Sequence, residues 1–101
     1  MVKRRGYRIE LGEIERALYL HPRVQEAAVV SFADADAGVR IVAVVACVEG
    51  GPAPSIIELK TFCASKLPSY MSPDRFIFQP RLPKTSTDKI DYQKLTHELT
   101  T

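Results

Sequence analysis

Along the chain, apolar positions switch between a period of two and a period near 3.6, and each switch predicts an element. Residues 2–9, VKRRGYRI, set Tyr7 and Ile9 against Arg8 and predict a short hairpin turning at Gly6. Ile14, Ala17 and Leu18 then recur at helical spacing between Leu11 and Leu20. Glu10 and Glu13 suit the positive end of that helix dipole, and His21-Pro22 stops the helix. From Val24 to Phe32 the alternation returns. Ala28, Val30 and Phe32 face one way and Ala27, Val29 and Ser31 the other, as in a strand. DADAG (34–38) has turn chemistry, and the unbroken apolar run Ile41–Val48 predicts a strand buried on both faces.

EGGPAPS interrupts the pattern. Ser55 and Glu58 have the S-x-x-E spacing of a capping box, which opens a helix through Leu67 with an apolar stripe of Ile56, Leu59, Cys63 and Leu67. LPSYMSPD reads as a loop and Arg75–Gln79 as a short strand closed by Pro80. Asp91 is placed to cap a last helix that buries Tyr92, Leu95 and Leu99. The expected fold is α+β: a small, mainly antiparallel sheet of about three strands with three helices, plus a short N-terminal hairpin. The short loop between the first two sheet strands favours antiparallel pairing.

Composition narrows the function classes. The 101 residues are 46% hydrophobic and 26% charged, the balance of an ordinary globular domain. The longest apolar run is eight residues, too short to span a bilayer, and charged residues follow Met1-Val2 at once, unlike a signal peptide. The expectation is a cytoplasmic chain with no membrane partner. A net charge of +2 is too small to imply a nucleic-acid partner. Cys47 lies in an apolar run and Cys63 on the apolar side of a helix, outside any CxxC, so two buried reduced thiols are expected. His21 and His97 have no neighbour at ligand spacing, so no metal site is expected.

Three stretches combine residues with chemistry. Lys3-Arg4-Arg5-Gly6-Tyr7-Arg8 gathers four cations around one glycine. On composition it is a solvated arm. A nucleic-acid arm finds little support, with one aromatic, no second basic face and acidic residues immediately after. The glycine permits a positive φ or lets another chain pass close to the backbone. RIELGEIE (8–15) is explained largely as a helix start. PKTSTDKIDYQKL (83–95) holds Lys89 on a polar loop between Pro83 and Asp91, where a movable point charge can reach into a partner's site.

Taken together, VKRRGYRIELGEIERAL…HPRVQEAAVV, LPSYMSPDRFIF and LPKTSTDKIDYQKL resemble, over essentially the whole chain, the C-terminal subdomain of the AMP-forming adenylating enzymes. That superfamily includes adenylation domains of nonribosomal peptide synthetases, acyl-CoA synthetases and luciferases. The resemblance implies one lid subdomain over residues 1–101, with a hinge-proximal hairpin loop at 1–9 and a catalytic-lysine loop at 83–90. It implies a substrate carboxylate that attacks the α-phosphate of Mg-ATP, followed by a phosphopantetheine thiol that displaces AMP. Lys89 matches the adenylation lysine and would contact the nucleotide. Lys3, Arg5, Gly6 and Tyr7 match the loop that enters the site for the thioester step, Gly6 leaving room for the pantetheine arm.

Implied partners are the large N-terminal adenylation domain, which would bind most of the ATP and Mg, a carboxylic or amino acid, and an acyl or peptidyl carrier protein. RIELGEIE favours a carrier protein over free coenzyme A as the acceptor. The family commonly has glycine where this chain has Asp88, a residue that tolerates left-handed backbone. No glycine-rich phosphate loop, acid-binding pocket or ribose-binding acid is present, so the chain alone is expected to be inactive. Met1 joined directly to a mid-motif Val2-Lys3 suggests an artificial start, and both a fragment and a separately encoded polypeptide remain open.

Overall fold

A computed structural model describes residues 2–36 and 38–100 of the chain. Met1, where the sequence suggested an artificial start, and Ala37, in the predicted turn, lie outside the described residues.

Two long strands, β3 (Val24–Asp34) and β4 (Gly38–Cys47), pair antiparallel from Val24↔Cys47 to Asp34↔Gly38. The smaller strands β1 (Val2–Arg4) and β2 (Tyr7–Ile9) form the predicted hairpin. Its two turn residues, Arg5 and Gly6, both have positive φ, 51° and 85°, as the two central positions of a type I′ turn require. Helix α1 (Leu11–Tyr19) follows, with Ile14, Ala17 and Leu18 buried as their spacing predicts. Helix α2 (Ile56–Lys66) and helix α3 (Tyr92–Thr100) complete the three predicted helices, and a single 3-10 turn at Ser69–Met71 interrupts the LPSYMSPD loop.

The fifth strand, β5 (Arg75–Phe78), joins the far edge of β4, giving the order β3-β4-β5. It runs parallel to β4, from Val42↔Arg75 to Val45↔Phe78. The sheet is therefore mixed. The connection from β4 contains α2, and such a crossover brings the next strand back in the same direction where a tight hairpin cannot.

Strict alternation along β4 divides the core in two. Ile41, Ala43 and Val45 pack with Ala27 and Val29 of β3, Phe76 of β5, Ile9, Ile14, Leu18, Leu59 and Cys63. Val42, Val44 and Ala46 pack on the opposite face with Ala28, Val30, Leu82 and Leu95. Both faces of the sheet are thus covered, the first by the N-terminal hairpin, α1 and α2, the second by α3 and the segment before it.

Four expectations about side chains need correction. Ile56 is 44% exposed and outside the α2 stripe, which consists of Leu59 and Cys63 with Leu67 half-buried. As the first helical residue it precedes Leu59 and Cys63, which enter the first core. Only half of the capping box forms. Ser55 Oγ accepts from Glu58 N at 3.0 Å, but the Glu58 carboxylate turns to His21 Nε2 at 2.9 Å. His21 is buried and its Nδ1 accepts from Arg23 N at 3.1 Å, so Nε2 carries the proton and donates to Glu58. Tyr92, expected in the core, is 42% exposed because its hydroxyl is held at the surface by Glu15. Leu95 is fully buried, as expected, and Leu99 is half-buried. Cys47 and Cys63 are free thiols, but only Cys63 is fully buried; burial raises the pKa of both.

Leu95 is the principal residue anchoring α3 to the second core. Leu95→Ala is expected to destabilise the fold by about 2–5 kcal/mol in urea unfolding. A loss under about 1 kcal/mol, the range of surface substitutions, would show that α3 is not built into that core.

Candidate functional site

The two basic stretches form two hairpins on opposite faces of the sheet. In the first, β1 and β2 follow period two. Val2 and Arg4 turn inward, while Lys3, Arg5, Gly6 and Tyr7 are exposed. Ile9 carries the hairpin into the first core. Arg4, absent from the predicted site residues, is its polar anchor. Its side chain is 12% exposed, and its guanidinium donates to Ser72 O at 2.8 Å and pairs with the Asp74 carboxylate. Asp74 also accepts from Ile41 N at 2.8 Å, and its own N–H donates to Ile41 O at 2.8 Å, so the hairpin is tied to the start of the buried part of β4. The signal for Arg4 lay in its two-residue spacing from Val2. Tyr7 stacks on Tyr70 of the LPSYM segment, ring centres 4.2 Å apart and planes 14° from parallel. At Gly6 a Cβ would meet open space, so its glycine character answers to the positive φ and not to packing within the chain.

The second hairpin presents Lys89. Lys84 and Ile90 form an isolated antiparallel bridge. Thr85 N donates to Lys89 O at 2.7 Å, and Asp88 N to Thr85 O at 3.0 Å. These bonds close a three-residue loop in which Asp88, φ 64°, takes the left-handed position that such loops require. Aspartate thus occupies the conformation in which glycine is ordinarily favoured, and the turn survives. Thr85 Oγ1 accepts from Lys89 N at 3.3 Å and lies 3.0 Å from Thr87 Oγ1, so the consecutive hydroxyl residues are partly consumed in bracing the loop. Asp91 caps α3 as predicted, its Oδ1 accepting from Lys94 N at 3.0 Å, and its own N–H donates to Pro83 O at 2.9 Å.

The two lysines of this hairpin have opposite fates. Lys84 pairs with Glu26 of β3, and that hydrogen bond raises its pKa. Lys89 is exposed, and among the described residues no hydrogen bond or ion pair holds its ammonium. A cation on a stem several bonds long, mounted on well-bonded backbone, is suited to entering an anionic site supplied by something else.

Sequence reading missed a polar cluster beside this hairpin. Glu15 Oε2 accepts from Val29 N at 2.8 Å and from the Tyr92 hydroxyl at 2.6 Å, and the Tyr19 hydroxyl donates to Ala27 O at 3.3 Å. Burial first, then the bond to Glu15 and its charge, push the Tyr92 phenol pKa well above its ordinary value. Among the described residues no group of three or more His, Cys, Asp or Glu side chains could hold a metal ion, and no helix is long and apolar enough to cross a membrane.

Comparison with known proteins places this architecture. The family described as AMP-binding enzyme C-terminal domain matches residues 13–89. A dimodular nonribosomal peptide synthase of Bacillus subtilis is 40% identical over 94 residues, 93% of this chain and 4% of that protein. L-proline--[L-prolyl-carrier protein] ligase of Streptomyces coelicolor is 42% identical over 96 residues, 94% of this chain and 18% of that protein. Among solved structures, a Brucella canis acyl-CoA synthetase aligns over 99% of this chain and 19% of its own, with TM-score 0.86 and 32% identity. Amide bond synthetase McbA from Marinactinospora thermotolerans aligns over 96% of this chain and 19% of its own, with TM-score 0.88 and 28% identity. The chain thus spans less than a fifth of the length of each of these relatives.

Two measurements check the local geometry. Asp88→Gly should leave the hairpin intact and stabilise the chain by up to about 1 kcal/mol in denaturant unfolding, whereas Asp88→Val should destabilise it by about 1–2 kcal/mol, the cost of a left-handed residue with a branched side chain. Tyr92 should remain protonated in an absorbance titration beyond about pH 10, the ordinary value, and Tyr92→Phe should remove that late step. Because the folded chain holds this proton more tightly than the unfolded chain, the associated stability is present below about pH 10 and is lost as pH rises further.

Proposed function

Because the chain belongs to the AMP-binding enzyme C-terminal domain family, we propose that it is the mobile lid of an ATP-dependent, AMP-forming ligase that charges a carrier protein. In the first half-reaction a carboxylate oxygen of the substrate attacks the α-phosphorus of Mg-ATP. The bond to the bridging oxygen breaks, pyrophosphate leaves, and an acyl-adenylate forms. In the second half-reaction a phosphopantetheine thiol loses its proton and attacks the acyl carbon, and AMP departs to leave a thioester. The acid, the nucleotide and its Mg sit mainly on a large N-terminal domain. This chain offers one hairpin to each step.

The observation that carries the proposal is the unpaired ammonium of Lys89 on a well-bonded hairpin, across the sheet from the Lys3–Tyr7 hairpin. In adenylation two anionic groups, carboxylate and phosphate, must approach. A cation reaching both lowers their repulsion and stabilises charge that grows in the transition state. Delivering that cation from a separate lid lets it leave when the lid turns, so that the other face can approach for thiol attack. There Lys3, Arg5, Gly6 and Tyr7 present exposed cations, a residue without a side chain, and a tyrosine stacked in place on Tyr70, which together suit the path of a phosphopantetheine arm. The free thiols Cys47 and Cys63 suit a reducing cytoplasm.

Two relatives support a carrier protein as the acceptor: the L-prolyl-carrier protein ligase by its name, and the dimodular nonribosomal peptide synthase as a peptide-assembling protein. The acyl-CoA synthetase fold match supports free coenzyme A as the second reading. A non-catalytic module that only docks carrier proteins has no use for Lys89. Supplying the chain to the large domain with each acceptor in turn separates these readings.

Lys89→Ala in the assembled enzyme is expected to slow pyrophosphate exchange by about two to three orders of magnitude, the scale of removing one preorganised charge. Thioester formation from supplied acyl-adenylate should be largely spared, and an equal fall in both half-reactions would refute the division of labour. Gly6→Asn adds bulk at a residue type that tolerates positive φ, so it tests the pantetheine path without breaking the turn. Thioester formation should slow while adenylation holds; unchanged transfer would remove Gly6 from the path.

A further inference from the structure

Strand β3 is an edge strand, and bare edges recruit other strands. Helix α1 closes part of it with two side chains one turn apart. Glu15 Oε2 accepts the Val29 N–H, and Tyr19 donates to the Ala27 carbonyl two residues away. Glu15 then does something that edge closure does not require: the same oxygen accepts the hydroxyl of Tyr92, the first residue of α3, at 2.6 Å.

Tyr92 stands three residues after Lys89, and the backbone between them is tied at successive positions. Lys89 N meets Thr85 Oγ1 at 3.3 Å and Lys89 O meets Thr85 N at 2.7 Å; Ile90 bridges to Lys84; Asp91 N donates to Pro83 O at 2.9 Å. The opposite limb is held to β3 through the pair between Lys84 and Glu26. The Lys89 hairpin is therefore braced twice against one strand, directly by Lys84 and through α1 by Tyr92.

We propose that Glu15 is a positioning residue for Lys89: acting through Tyr92, it fixes the hairpin against the edge of β3 and so sets where the ammonium arrives for adenylation. The proposal rests on the reading of Lys89 given above. It also gives the last glutamate of RIELGEIE a role beyond starting a helix. A staple that merely held α3 on would lower stability and leave the half-reactions in proportion. A positioning residue changes one half-reaction and not the other.

The test has two arms. In the 101-residue chain, hydrogen exchange at the amides of residues 84–91 should quicken about tenfold in Tyr92→Phe and in Glu15→Ala, with the amides of β4 unchanged. Glu15→Gln, which retains an oxygen acceptor, should recover most of the protection. In the assembled enzyme, Tyr92→Phe should lower the kcat of adenylation about tenfold with the KM for ATP unchanged, the scale of a modest misplacement of a catalytic group, while thioester transfer stays within about twofold. Unchanged exchange at residues 84–91, or equal falls in both half-reactions, would overturn the inference. Normal adenylation by Lys89→Ala would instead overturn the proposed function. Failure of the inference alone has a different signature, a slow Lys89→Ala enzyme beside an unaffected Tyr92→Phe enzyme.

Discussion

The layout of this chain follows from the central stretch of β4 having no exposed side. From Ile41 to Ala46 each residue is buried, alternate side chains entering alternate cores. A strand of this kind needs apolar cover on both faces, and about 100 residues cannot supply two thick layers. One layer is therefore built from the start of the chain and α2, the other from its end. Each brings a short polar hairpin with it, because the chain must enter the first layer and must turn into α3 to complete the second. The placement of the two hairpins on opposite faces is a consequence of covering one sheet economically, before any question of catalysis arises.

Both hairpins are stiffened by backbone geometry that L-residues adopt reluctantly. Arg5 and Gly6 supply paired positive φ values in one, and Asp88 supplies the left-handed position in the other. Each is then fastened by an ion pair to the body: Arg4 to Asp74, Lys84 to Glu26. The pairs are partly exposed, and their value as stability is small. Their value as geometry is larger, since they fix the direction in which the remaining, unpaired cations point. Within six residues the chain uses Lys84 as a strut and Lys89 as a projecting charge.

The long elements were legible because their signals are periodic. The alternation in β3, the apolar run of β4, the spacing in α1 and the caps at Ser55 and Asp91 each predicted what is found. The direction of β5 was not legible, because four residues say nothing of what they will lie against. Tyr92 looked like a core residue at helical spacing from Leu95 and Leu99, yet a phenol can trade burial for a strong hydrogen-bond acceptor, and Glu15 lies 77 positions away. Glu58 was read as a cap on its own helix, but a buried His21 competes for the same carboxylate. In each case the deciding partner is distant in sequence, and local pattern carries no trace of it. At the candidate site the same rule holds. Lys89 and the 3–7 loop were visible from motif resemblance, whereas the contacts of Arg4 with Asp74, Tyr7 with Tyr70 and Tyr92 with Glu15 are made only by folding.

If the chain swings as the proposed lid, it transmits its hinge angle to the active site only as faithfully as its own interior allows. A soft joint between the sheet and Lys89 would let the ammonium sample many positions at each lid angle, and the benefit of a preorganised charge falls as that spread grows. The described bonds leave little room for such a joint at the base of the hairpin, while the side chain beyond Cα remains free. That combination, a rigid mount with a flexible tip, reconciles two demands on the same residue. In the proposed function the mount would bring the charge to the right region with each rotation, and the tip would adapt as a carboxylate and a phosphate become one mixed anhydride.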